Sequence, residues 1–296
     1  MGFEQQRNEL IKICRDLLCE GRVELILGFA QGETPDISIP LFIRDVKDAD
    51  SLKWDSKCNS NLAKYLTEKK QGVAIIAKPC DARAIVMYMA ENQINREDIY
   101  IIGVECMGMT EEDGSAAPGC DTCAVKTPPV YDVLVKAGSE DKQEKMSESE
   151  AIKPGRMKDK IERFQNEMKK CILCFSCRQA CYACYCETCF VDRGIPDWLP
   201  SDIDIGTKMV FHLGRAMHLA GRCVGCGACE KACPSGVNIR YLVQDLADFC
   251  QELYGYQPGV DPDEVPAMTA FDSNDREVGF LGGEDDESCC GTKKPD

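Results

Sequence analysis

Eight cysteines fit one template at two places. Cys171, Cys174, Cys177 and Cys181 are spaced C-x2-C-x2-C-x3-C, and Cys223, Cys226, Cys229 and Cys233 repeat that spacing before Pro234. Three thiolates at successive threes match three corners of an iron–sulfur cubane, and the fourth cysteine of such a run ligates the other of two clusters. The spacing therefore predicts one [4Fe–4S] cluster on Cys171, Cys174, Cys177 and Cys233. It predicts a second on Cys223, Cys226, Cys229 and Cys181. Gly225, Gly227 and Ala228 let the second loop close around its cluster and leave N–H groups for the sulfurs. The competing reading is a pair of structural zinc sites, but zinc usually takes two CxxC pairs with a longer spacer.

The rest of the composition bounds the setting. The chain has 296 residues, 21 of them cysteine, with a formal net charge of -15. That length suits one large domain or two ordinary ones and is too long for a small disulfide scaffold. No charged start leads into an apolar stretch, so no secretory signal is read. No run of 18 apolar residues predicts a membrane span. A cytoplasmic setting with reduced thiols follows as the expectation. The acidic balance argues against a nucleic-acid partner and suits either plain solubility or docking on basic surfaces of other subunits.

Four zones are expected. Residues 1–138 read as an α/β domain with a parallel sheet, 139–165 as a charged linker running into a helix, 166–256 as a mostly α-helical cluster-binding domain, and 257–296 as an extended acidic tail. In the first zone Glu4–Cys19 has a helical pattern, and Val23–Gly28 reads as a strand ended by glycine. Ile37–Ile43 reads as an extended run broken by Pro40, and Asn61–Lys70 as a helix. Val73–Ala77 is an apolar strand with no polar face, as in buried parallel sheets. Asp81 can cap a helix through Arg83–Glu91, and Ile99–Val104 is the next strand. Cys80 and Cys106 each follow a strand directly, where open sheets bind ligands. Cys120 and Cys123 lie in a Gly/Pro/Asp-rich loop, and Cys58 stands before Asn61. These five thiols could converge on one edge.

Cys184, Cys186 and Cys189 continue from Cys181 as C-x2-C-x-C-x2-C. They are read as a further metal site, either a cluster or zinc, or as free thiols packed near the first cluster. His212 and His218, six apart, fall on different helix faces and are not promoted to ligands. Cys14, Cys19 and Cys250 are read as small buried apolar groups. Cys289-Cys290-Gly291 is treated as coincidence, and Gly28–Gly32 is too short for a dinucleotide fingerprint.

Lys78-Pro79-Cys80-Asp81-Ala82-Arg83-Ala84, followed by Ile102-Gly103-Val104-Glu105-Cys106, resembles the β-subunit family of deazaflavin-coenzyme (F-420) hydrogenases and formate dehydrogenases. That family has a G-x-P-C-x-x-x-A turn and an I-G-x-x-C strand end. The resemblance covers roughly residues 20–135. The two cysteine runs start 52 residues apart, with helical stretches at Lys208–Ala220 and Ile239–Leu253. This resembles the α-helical ferredoxins of succinate dehydrogenase and heterodisulfide reductase subunits. The family implies a third cluster in the first domain, with Cys80 and Cys106 matching its motif cysteines. Cys120 and Cys123 are the readiest remaining ligands, and Cys58 competes for one place. Full-length members also bind FAD, for which no segment can be pointed to here.

The resulting expectation is an electron-transfer subunit of a hydrogenase, formate dehydrogenase or heterodisulfide-reductase-type complex, relaying electrons between partner subunits through several clusters. The first alternative is an FAD-containing subunit that itself oxidises or reduces a deazaflavin or nicotinamide carrier. The second is a structural zinc protein.

Overall fold

The computed structural model describes residues 2–67, 72–137, 157–194, 199 and 202–266. Its elements in chain order are α1 (Phe3–Cys19), β1 (Leu25–Gln31), β2 (Ser38–Ile43), β3 (Val73–Ala77), α2 (Pro79–Ala90), β4 (Ile99–Val104), β5 (Val133–Val135), α3 (Met157–Lys170), α4 (Ser176–Gln179), α5 (Ile205–Leu219), α6 (Ala228–Lys231) and α7 (Arg240–Tyr254).

The five strands form one sheet in the order β2-β1-β3-β4-β5. β1 pairs with β3, β3 with β4 and β4 with β5 in parallel, whereas β1 and β2 are antiparallel. The sheet is therefore mixed, not wholly parallel as the pattern predicted. Residues 32–37 are too few for a crossover helix, so the chain turns straight back. Pro40 does not break β2, because an edge strand has one free side for a residue that cannot donate. Gly28 does not end β1; it sits mid-strand, where an added Cβ would press on Leu52 Cδ1 and Ile76 Cδ1.

β3 is buried along its whole length. α1 lays Leu10, Cys14 and Leu17 onto the core at i, i+4 and i+7. α2 starts at Pro79, whose fixed φ and missing N–H suit a first helical position. Asp81 closes that start: its carboxylate accepts the Lys78 N–H at 2.9 Å and the Leu62 N–H at 2.8 Å. The helix expected from Asn61 shrinks to one 3-10 turn, Leu62–Tyr65, capped by the Asn61 side chain. Among the thiols expected to be buried in helices, Cys14 and Cys250 are buried but Cys19, the last residue of α1 and roughly opposite Leu17, is exposed.

The sheet and the helical part share a core, which includes Tyr182, Ala216, Leu219 and Val224 beside the strand residues. α2 is the seam. Arg83, 7% exposed, donates to the carbonyls of Pro258 (3.0 and 2.8 Å) and Val224 (3.1 Å). Tyr88 donates to the Tyr182 carbonyl at 2.6 Å, and Arg222 forks onto the Glu91 carboxylate. The start of the acidic tail packs here through the Pro258 carbonyl, and Tyr256 just before it meets Met87. Residues 139–156 of the linker and 267–296 of the tail, with Cys289 and Cys290, lie outside the described residues.

Candidate metal centres

Cys171 and Cys174 lie on the loop between α3 and α4, and Cys177 lies in the first turn of α4. With Cys233 and Cys229, both from the other run, they line one hollow together with Phe211, His212 and Val237. Backbone N–H groups point at two of these sulfurs: Leu173 to Cys171 and Val237 to Cys233, both at 3.3 Å. His212 Nε2 lies 3.4 Å from Cys171 Sγ. Cys174 is exposed, and hydrogen bonding to Ser176 holds its thiol below the usual range.

The second run has the same backbone shape. Leu173 and Phe175 occupy the left-handed region at φ 53 and 60, and the equivalent Gly225 and Gly227 do so at 68 and 71. A non-glycine residue there costs about 1–3 kcal/mol and persists where its surroundings over-determine it. The shared shape turns N–H groups inward, and Gly225 N–H reaches Cys223 Sγ at 3.4 Å. Cys181, from the first run, has Cys223, Cys226 and Cys229 as electrostatic neighbours. Burial pushes the Cys223 thiol up to about 12 and the Cys226 thiol higher still. A hydrogen bond from Cys184, and then the Arg215 charge, hold Cys181 low. Cluster ligands must be thiolates, so taking up iron would release protons from the raised thiols.

β3 and β4 are register neighbours up to Ala77 and Gly103, which puts Cys80 and Cys106 at the same sheet edge. Cys106 has Cys120 and Cys123 beside it, and Cys80 has Cys106 and Cys226. The loop carrying Cys120 lies directly on the loop carrying Cys226. A Cβ at Gly227 would collide with the Pro118 carbonyl, and one at Gly119 with the Gly225 carbonyl. Burial pushes both Cys80 and Cys106 upward, while the buried Lys78 ammonium works against it. Lys78 is paired with Asp81 at 2.8 Å and donates to the Ser60 carbonyl at 2.9 Å. Cys58 is fully buried, beside Ser38 Oγ at 3.7 Å, and is an electrostatic neighbour of that lysine.

Cys184, Cys186 and Cys189 line a separate cavity of about 430 Å³ together with Arg178, Arg215 and Arg222. Arg178 pairs with Asp192 at 2.8 Å. His218 is exposed, packs against Phe190 and lines the same cavity.

Sulfur donors, inward N–H groups and left-handed loop residues suit iron–sulfur clusters. Arg215 Nε and Nη1 and His212 Nδ1 are buried beside the thiols with no hydrogen-bond partner, which is where cluster sulfur would supply acceptors. Among the described residues no three Cys, His, Asp or Glu side chains gather closely enough to hold a single metal ion. Lys78, Arg83 and Arg215 are contributors that spacing did not reveal. A cation three residues after His212 was the available signal for Arg215.

A 4Fe-4S binding domain family matches residues 219–237. The F420-dependent formate dehydrogenase subunit beta of Methanocaldococcus jannaschii is 24% identical, over 83% of this chain and 89% of that protein. The F420-dependent formate dehydrogenase 1 subunit beta of Methanococcus maripaludis is also 24% identical, over 85% and 90%. This chain resembles the β-subunit family of deazaflavin-dependent formate dehydrogenases. A chain in a solved structure of the F420-reducing [NiFe] hydrogenase complex from Methanosarcina barkeri is 17% identical over 35% of this chain and 38% of that one, with a TM-score of 0.29. No helix among the described residues is long and apolar enough to cross a membrane.

Proposed function

We propose that this chain is the iron–sulfur electron-transfer subunit of a multi-subunit oxidoreductase of the formate dehydrogenase kind. The observation that carries this is the exchange of fourth cysteines: Cys233 lines the hollow of the first run, and Cys181 neighbours the second. One cluster is assigned to Cys171, Cys174, Cys177 and Cys233, its neighbour to Cys223, Cys226, Cys229 and Cys181. A third is assigned to Cys80, Cys106, Cys120 and Cys123, with Cys58 the reserve ligand. Cys184, Cys186 and Cys189 are assigned a further metal site.

The clusters supply one-electron chemistry. The chain's own contribution is spacing, burial and hydrogen bonding to sulfur, the levers that set potentials. Cys80 beside Cys226, and the Gly119 loop against the Gly227 loop, support a path from the sheet edge into the helical part. The exposed Cys174 supports an exit at the other end.

The test is to isolate the tagged chain from its own cells without oxygen, together with whatever binds it. At least one other redox subunit is expected to accompany it. Reduced-cluster signals should appear by electron paramagnetic resonance when formate, hydrogen or reduced deazaflavin is supplied. A chain that comes alone and stays oxidised with every donor would contradict the proposal.

A further inference from the structure

α5 lies between the two cysteine runs in sequence and turns one polar stripe inward. Asp204 caps it, accepting the Thr207 N–H at 2.6 Å. Val210, Leu213 and Met217 face outward, while Phe211, His212, Arg215 and Leu219 are buried. Residues three apart share a helix face, so His212 and Arg215 point the same way.

Arg215 is 3% exposed, and among the described residues no carboxylate is recorded as pairing with it. Its Nη2 donates to the Cys177 carbonyl at 3.1 Å, while Nε and Nη1 have no partner. A buried guanidinium left without a counter-charge is costly, and it persists where something negative belongs beside it. The sulfurs of Cys181, Cys229, Cys184 and Cys177 are its electrostatic neighbours, and they become negative when they ligate a metal as thiolates. On the assignment proposed above, Cys177 serves the first cluster, and Cys181 and Cys229 the second. His212, 2% exposed, meets the first set through Cys171.

We infer that Arg215 is a charge shared by the two ferredoxin-type clusters, raising the reduction potential of both, and that His212 tunes the first alone. The inference rests on the functional reading above. A cubane held by four thiolates is negatively charged and gains one more negative charge on reduction. A fixed cation and N–H donors at its sulfurs favour the reduced state. Placed between two clusters, one guanidinium shifts both together and keeps their potentials close.

The bland alternative is that Arg215 only ties α5 to the Cys177 loop. Potentials separate the two. The full chain, loaded with iron and sulfide without oxygen, is compared with Arg215→Met, Arg215→Lys and His212→Leu in a redox titration followed by electron paramagnetic resonance. Iron and sulfide are counted in each sample. Arg215→Met is expected to make both clusters about tenfold harder to reduce, a fall of about 59 mV for one electron. Arg215→Lys, which keeps the charge, should stay close to the parent. His212→Leu should lower one potential only.

Full iron with both potentials unmoved in Arg215→Met would overturn the inference, as would a shift confined to one cluster. If Arg215→Met takes up less iron, Arg215→Lys decides. Full iron and parent-like potentials support the shared charge. Lost iron in that variant as well means an architectural arginine and overturns it. A parent chain that holds no cluster would overturn the functional reading itself.

Discussion

Cys233→Ala is expected to cost about four irons per chain, and the cluster that disappears is the one on Cys171, Cys174 and Cys177. Cys233 lines the hollow of the other run, as does Cys229, and Val237 N–H meets the Cys233 sulfur there. Cys181→Ala is the mirror case and removes the cluster on Cys223, Cys226 and Cys229. Double variants make the exchange explicit, because groups acting as one unit are not additive. Cys233→Ala with Cys174→Ala should lose no more iron than either alone. Cys233→Ala with Cys226→Ala should lose about eight irons. The reverse pattern in iron counts would assign each run its own four cysteines.

Asp81→Ala is expected to cost about 3–5 kcal/mol of folding stability, the range for removing one partner of a buried ion pair. Lys78 is 1% exposed and Asp81 0%, with 2.8 Å between them. The same carboxylate holds the Lys78 and Leu62 N–H groups, so its loss leaves a buried ammonium and two amides unmatched. Cys80 sits inside this knot, and its site should lose iron together with the stability. Adding Lys78→Met removes the stranded charge and should recover part of the loss. Denaturant unfolding of the full chain without oxygen reads both changes. A loss below about 1 kcal/mol for Asp81→Ala would mean water reaches the pair and screens it.

What could be read from the sequence was governed by local chemistry. The C-x2-C-x2-C spacing is a short-range geometric demand, so the two runs were legible from residues alone. Val73–Ala77 read as a buried strand because parallel strands hide both faces, with Ile99–Val104 as the next strand, and the structure pairs the two in parallel. The direction of β2 was not legible, since it depends on the length of the turn at 32–37. The helix expected from Asn61 failed because tertiary hydrogen bonds, Leu62 N–H to Asp81 among them, hold that segment in a tight turn. β5 was missed because Val133–Val135 is only three residues long. Arg83 read as an ordinary helix residue; only the fold reveals its carbonyl acceptors at Val224 and Pro258. His212 was set aside because two histidines six apart cannot share a face. It is nonetheless buried against Cys171, whereas His218 is exposed and lines the cavity of Cys184, Cys186 and Cys189.

The most direct test of the central claim is a count of iron, acid-labile sulfide, zinc and flavin per chain on one sample purified without oxygen. The electron-transfer reading predicts about twelve to sixteen irons, matching sulfide and no flavin. About eight irons would confine the clusters to the two runs and withdraw the assignment at Cys80 and Cys106. One flavin per chain would favour a subunit that carries out hydride chemistry itself. Zinc without sulfide would contradict the account outright.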